Sequence, residues 1–338
     1  MRKKTTIKDI AKQLDVSNSL VSFVLNGKSK EKRISDEMKS KVLELAKSLD
    51  YTPNYLAKSL RSGKSNTLGL IVADISNPFY GMLARHIEIE ASKYGYKVIF
   101  SNSDENESKF TDQLGVLQNG QVDGLIITPP IGSEEELLKL KKMKIPFVVV
   151  ERIFKNVVTH SVVANNFQAG YNATEKLIKN NRKKIALVNL NFKLLHMVQR
   201  EEGFIAAMKN NGLAVNKSLI KHVKFSHEGK YVMEAIQDIV KNGADGLLFT
   251  TSKLGVQGIQ CLSKLGIKIP QSMSIVSFDN INEYRVSSTP ITVVEQPLEQ
   301  ISKESIRIII NIIENKYADG HYENVELEAN LISRESCL

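Results

Sequence analysis

TTIKDIAKQLDVSNSLVSFVLN, residues 5–26, is the stretch from which the rest of the chain is read. Ile7, Ile10, Ala11 and Leu14 fall at helical spacing on one apolar face. Thr5 or Thr6 caps that helix, and Asp9 sits in its first turn, where a negative charge suits the helix dipole. Asp15-Val16 interrupts the pattern. Ser17 then caps a second helix, with Leu20, Val21, Val24 and Leu25 turned inward. Two short helices joined by so tight a turn outline a helix-turn-helix, whose second helix enters the major groove of DNA. Alternatively, the same spacing suits an ordinary helix pair in a small bundle.

Residues further on extend this outline. Ser35 caps a third helix over Asp36–Leu49, with Met38, Val42, Leu45, Ala46 and Leu49 inward, which completes a three-helix core. Tyr51-Thr-Pro-Asn follows, and Pro53 ends regular structure before it. Asn54–Arg61 carries another short helical pattern, and SGKSNT after it has linker composition. Residues 1–65 hold 15 Lys and Arg against 7 Asp and Glu, whereas the remainder of the 338 residues holds 31 against 30. A basic module on a neutral body suits a polyanion, because neutralising phosphates releases counterions.

From Thr67 onward, short apolar runs alternate with helical patterns. The runs are LGLIVA (68–73), KVIFS (97–101), DGLIIT (123–128), PFVVV (146–150), SVVA (161–164), KIALVNL (184–190), KHVKF (221–225), DGLLFT (245–250) and SIVSF (274–278). Unbroken apolar runs suit a parallel sheet buried on both faces. Two successive series of such units predict two doubly wound α/β lobes, with ligands held beyond the carboxyl ends of the strands.

The motifs together resemble the LacI/GalR transcription regulators. TIKDIAKQLDVS, VSFVLNG, YTPN and LAKSLRSGKSNTLGLIV carry the resemblance at the N-terminal side. DISNPFY, VDGLII, the R-x-x-G-F of Arg200–Phe204 and VSFDN continue it through nearly the whole chain. The resemblance implies an all-α helix-turn-helix DNA-binding domain over 1–52 and a hinge helix with linker over 53–65. It implies a periplasmic-binding-protein-like core over 66–338, crossed three times by the chain. The first lobe would take about 66–164 and 296–323, and the second about 165–295 and 324–338. The third crossing would lie near Pro290–Gln296, with helix 298–315 returning to the first lobe.

On the DNA side, Ser17, Asn18, Ser19, Ser22 and Phe23 would face the major groove, where Asn pairs bidentately with adenine and Ser reaches several base edges. Relatives often carry Thr at the place of Leu20 and Arg at that of Phe23. Phe23 would then contact a thymine methyl and alter operator preference, or pack against the third helix. Thr6, Ser22, Asn26 and Tyr51 suit phosphate contacts. The hinge implied by resemblance places Asn54, Ala57 and Leu60 in the minor groove, with Leu60 as the wedge and Ala57 allowing close approach of two copies. That implies a homodimer on a pseudo-palindromic operator.

On the ligand side, the resemblance implies a cleft at Asn77, Phe79, Glu151, Arg152, His196, Arg200, Asp279 and Gln296. Charged groups would grip sugar hydroxyls and Phe79 would stack on a ring. Ser252 and Lys253 replace a common Asn-Asp pair, and Asn165-Asn166 replace Asp-Asn. Lys253 by the cleft favours an acidic or phosphorylated sugar, unless it points to solvent. The effector expected is a sugar, sugar acid or phosphorylated sugar.

Other functions fit less well. A transport solute-binding protein needs a signal or lipid anchor, and MRKKTTIKD has no apolar stretch behind it. With no membrane-length apolar run, the expectation is a cytoplasmic protein without a membrane partner. A sugar-processing enzyme would show a phosphate-cradling GxxxxGK[ST], a GxSxG elbow or HExxH, and none occurs. His86, His160, His196, His222, His227 and His321 lack metal spacing, as do Cys261 and Cys337. No catalytic residue, metal or cofactor is expected, and no C-terminal heptad run points to a tetramer.

Overall fold

The computed structural model describes residues 5–51, 63–191, 194–224 and 228–338. Asn54, Ala57 and Leu60, with the hinge helix expected around them, lie outside these residues, as does His227. The chain forms two compact units, residues 1–65 and 66–338.

The first unit holds α1 (Ile7–Gln13), α2 (Asn18–Leu25) and α3 (Asp36–Ser48). Each starts where a short polar side chain satisfies an end-of-helix amide. Thr6 and Asp9 form a reciprocal capping box, the Ser17 hydroxyl accepts the Leu20 N–H at 3.1 Å, and the Ser35 hydroxyl accepts that of Met38 at 3.3 Å. Asp15 turns the chain between α1 and α2 with φ 51°. Ile10, Ala11, Val21, Val24, Val42 and Ala46 are buried at the centre, and Leu14, Leu20, Leu25, Met38, Leu45 and Leu49 close around them. The Thr5 hydroxyl donates to the Leu49 carbonyl at 3.0 Å, which ties the start of the unit to the end of α3.

The second unit contains two six-stranded sheets. The first lobe has β1 (Thr67–Val72), α4 (Pro78–Lys93), β2 (Lys97–Asn102), α5 (Glu107–Asn119), β3 (Gly124–Ile127), α6 (Glu134–Lys142), β4 (Phe147–Val150) and β5 (Ser161–Ala164). The second lobe has α7 (Asn166–Lys179), β6 (Ile185–Leu190), α8 (Leu195–Asn210), β7 (Ile220–Val223), α9 (Glu228–Lys241), β8 (Gly246–Phe249), α10 (Ser252–Lys264), β9 (Ser274–Phe278), α11 (Asn282–Arg285) and β10 (Thr292–Glu295). α12 (Leu298–Ile313) returns to the first lobe, followed by β11 (Asn324–Leu327) and β12 (Asn330–Ile332). The orders are β11-β5-β4-β3-β1-β2 and β12-β10-β9-β8-β6-β7, parallel except for the β10–β12 pair.

Each sheet has an apolar layer on both faces, as unbroken strands require. In the first lobe α4 and α12 cover one face with Leu83, Ile87, Ile306 and Ile309, and α5 and α6 cover the other with Phe110, Leu114, Leu137 and Leu140. In the second lobe α9 and α10 cover one face and α7 and α8 the other.

Five details differ from expectation. Residues 324–327 pair in parallel with β5 as the outer strand of the first lobe, so only the chain beyond them joins the second. KVIFS is not enclosed on both faces: β2 is an edge strand, with Ile99 and Phe100 exposed. Thr292–Glu295 is itself a strand parallel to β9, so the crossing narrows to Gln296-Pro297. Helix α12 ends at Ile313, and β7 ends at Val223.

Candidate DNA-reading helix and effector cleft

The N-terminal turn of α2 presents Ser17, Asn18 and Ser19 to solvent, with Ser22 half-exposed one turn on. Ser17 spends its acceptor lone pair on the cap and keeps its O–H as a donor. Asn26 is exposed at the end of α2, its amide donating to the Ser22 carbonyl at 2.7 Å. Phe23 is half-exposed and outside the three-helix core, so it does not pack into α3; the Lys32 ammonium lies 5.1 Å from its ring centre. Lys8, Lys12, Lys28, Lys30, Lys32 and Arg33 are exposed on the same unit. Thr6 is exposed within its capping box. Tyr51 leans on the core, and that burial pushes its phenol up.

In the second unit, the strand orders place the switch points between β1 and β3 and between β6 and β8, where a ligand cleft forms beyond the strand ends. From the first lobe come Asp74, Asn77 and Phe79 after β1, Glu105 after β2, and Glu151 and Arg152 after β4. Asn77 caps α4, accepting the Phe79 N–H at 3.1 Å, and Phe79 meets Tyr80 edge-on with centres 5.0 Å apart. Tyr80 donates its hydroxyl to Glu151 at 2.6 Å, while Arg152 donates to the Tyr80 oxygen at 2.7 Å and grips Glu105 with two nitrogens. Burial pushes the Glu151 carboxyl up, opposed by the neighbouring Arg152 and the Tyr80 hydroxyl.

From the second lobe, α8 projects His196 and Arg200, both buried. Arg200 donates to the Asn166 side chain at 2.9 Å and to the Thr250 carbonyl at 2.6 Å, and its guanidinium carbon lies 4.1 Å from the Phe278 ring centre. Its Nη2 has no partner among the described residues, and neither nitrogen of His196 has one. Burial, reinforced by Arg200 and Arg152, holds the His196 ring well below its usual range and therefore neutral. The backbone under Arg200 is fixed by two glycines. A Cβ on Gly170 of α7 would stand 2.2 Å from the Arg200 carbonyl oxygen, and one on Gly203 would stand 2.1 Å from that of Phe167. Asp279 accepts from Gln296 at 2.8 Å and from the hydroxyl and amide of Ser252 at 3.0 and 3.3 Å.

The lobes touch across the cleft. Ser252 reaches the Asn77 side-chain oxygen at 3.4 Å, and Lys253 lies 3.5 Å from an oxygen of Asp74. Lys253 thus neither points away into solvent nor faces the cleft as a lone cation. The space among Asn77, Phe79, Glu151, Arg200, Lys253, Asp279 and Gln296 has a volume of about 40 Å³. A chamber of about 190 Å³ beside it is bounded by Glu151, Asn166 and His196, and an open groove of about 750 Å³ runs past Phe79, Asp279 and Gln296. The ten residues expected at an effector cleft therefore lie around one region: Ser252 bridges it, and Arg152 stands behind Glu151. Four contributors were not singled out from the sequence: Asp74, Tyr80, Glu105 and Thr250. Asp74 and Tyr80 lie inside the DISNPFY motif, so a signal existed for them. Glu105 follows β2 with φ 55° and has no local pattern to mark it.

Residues 65–335 match the family model described as periplasmic binding proteins and sugar binding domain of LacI family, and residues 6–54 match that of bacterial regulatory proteins, lacI family. The chain belongs to the LacI family. Its work is regulation of transcription through DNA binding in response to a ligand, not catalysis. Among similar LacI-family proteins, the HTH-type transcriptional regulator RegA of Clostridium acetobutylicum is 34% identical, over 98% of this chain and 99% of its own. The HTH-type transcriptional regulator DegA of Bacillus subtilis is 32% identical over 90% of each chain. A crystal structure of a putative ribose operon repressor from Burkholderia thailandensis superposes with a TM-score of 0.72 at 28% identity, covering 80% of this chain and 99% of that one.

Proposed function

We propose that the chain is a homodimeric repressor of carbohydrate-metabolism genes, whose grip on a pseudo-palindromic operator is set by a carbohydrate held between the lobes. One observation carries the effector side. Ten residues from distant parts of the chain, expected at a ligand cleft, converge from both lobes on the carboxyl ends of the strands. Asp279, Arg200 and Gln296 offer fixed hydrogen-bonding groups there, and Phe79 offers a ring.

On the DNA side, Asn18, Ser19, Ser22 and Phe23 read bases, Ser17 sets the start of the reading helix, and Thr6, Asn26 and Tyr51 hold phosphates. Asn54, Ala57 and Leu60 extend the contact into the minor groove. One short helix reads few base pairs, so two copies are needed for a specific site. Exposed apolar Met82 and Ile89, two turns apart on α4, and Ile99 and Phe100 on β2 support pairing of two first lobes. No helix among the described residues is long and apolar enough to cross a membrane. A regulator that grips operator DNA works where the DNA is, in the cytoplasm.

The test is operator binding by the full chain with and without a sugar panel. Arg200→Ala should keep operator binding and lose the response. A response that survives would remove the cleft assignment.

A further inference from the structure

Lys253 opens α10 in the second lobe, and Asp74 follows β1 in the first. Their 3.5 Å approach is an ion pair between lobes. Asp74 is aimed for it, because its other oxygen accepts the amide and hydroxyl of Ser76 at 2.9 and 2.6 Å. The neighbouring Ser252 to Asn77 contact spans the same gap.

We propose that Asp74 determines effector charge: by cancelling Lys253 across the cleft, it selects an uncharged polyhydroxyl ligand over a sugar acid or sugar phosphate. This rests on the cleft being the effector site.

Four carboxylates, Asp74, Glu105, Glu151 and Asp279, stand in or directly behind the cleft against the cations Arg152, Arg200 and Lys253. Every one of the four carboxylates already has a partner within the protein. A further anion would be stripped of water among carboxylates that already outnumber the cations four to three, which is costly. Among the described residues, the buried cleft atoms without a hydrogen-bond partner are Arg200 Nη2, Arg152 Nε and the two ring nitrogens of His196. A neutral imidazole offers one donor and one acceptor, and a hydroxyl can answer both because it donates and accepts. Lys253 alone suggests an anion; Lys253 with Asp74 suggests the opposite.

The experiment is calorimetric titration of the full-length protein with matched sugar pairs, each a neutral sugar and its phosphate or acid, such as ribose with ribose 5-phosphate and glucose with gluconate. The wild type should bind the neutral member of one pair. Asp74→Asn, which removes the carboxylate facing Lys253, should shift the affinity ratio toward the charged member by about tenfold or more. The double variant Asp74→Asn, Lys253→Met should return the preference to the neutral sugar. Lys253→Met alone should keep that preference and shows that the site tolerates substitution at this position. A wild type that prefers the charged member, or a ratio unmoved by Asp74→Asn, overturns the proposal. Failure of every pair to bind any variant removes the carbohydrate reading of the cleft, and this proposal with it.

Discussion

Glu151 and Asp279 occupy the same place in the two lobes. Each directly follows the fourth strand of its parallel series, each is buried, and each has a left-handed backbone with φ 68°. Such a conformation costs on the order of 1–3 kcal/mol and persists only where the surroundings enforce it. The strain lifts each carboxylate off its strand end toward the cleft. Asp279→Asn keeps the shape and removes the charge that Gln296 and Ser252 are arranged around. It should weaken effector binding by about 10- to 100-fold, the loss expected for a charge-assisted bond. Operator affinity without effector should stay the same. Calorimetry and gel-shift titration on one preparation check both halves.

Gly203 and Gly170 let two helix backbones touch beneath Arg200. Gly203→Ala forces α8 away from α7. We expect a loss of about 1–3 kcal/mol in urea denaturation, typical of overpacking, together with a weaker effector response because Arg200 moves with its helix. Unchanged stability would mean that the helices separate easily, and the positional role of Gly203 would be lost.

The neutral ring of His196 makes stability depend on pH. Its native pKa is depressed, so below about pH 6.5 the unfolded chain takes up a proton that the native state refuses. Its contribution is complete above that pH and declines as pH falls, by about 1.4 kcal/mol per unit. His160, depressed mainly by its own burial, adds in the same direction, while His222, raised by Glu201, opposes it. His196→Asn should therefore flatten the fall in unfolding free energy between about pH 6.5 and 5 relative to wild type. Parallel curves for the two proteins would contradict a neutral buried ring.

Operator binding should be strongly salt-dependent, since nine exposed Lys and Arg lie on the described residues of the first unit. Affinity should drop by about a thousandfold or more between roughly 50 and 200 mM salt. Asn18→Ala should cost about 1–3 kcal/mol and relax selectivity at one base pair. If Asn18→Ala weakens all sequences alike, that residue holds phosphate instead.

Much of the first unit was readable because helix starts are local events. Thr6, Ser17 and Ser35 each sit within three residues of the amide or side chain they satisfy. The buried strands were equally plain, since Leu68–Val72 or Gly246–Phe249 can only be enclosed on both faces. The short edges were not. Asn324–Leu327 alternates half-buried and exposed residues, and its lobe is decided by distant pairing to Ser161–Ala164. The cleft residues followed from resemblance and position at strand ends. Their pairing did not, because nothing near Lys253 in sequence announces Asp74, and nothing near Arg152 singles out Glu105. Charge alone at Lys253 suggests an anionic ligand; its pairing with Asp74 is the observation behind the neutral-ligand proposal.

Three brief links join the lobes: Asn165 between β5 and α7, Gln296-Pro297 between β10 and α12, and Glu328-Ala329 between β11 and β12. A two-residue link reaches only about 7 Å when fully stretched. With strands anchored at both ends, these links act as short tethers. The lobes cannot drift apart; they can only swivel about the line where the tethers lie. Whatever signal a bound effector sends is therefore an angle, not a distance.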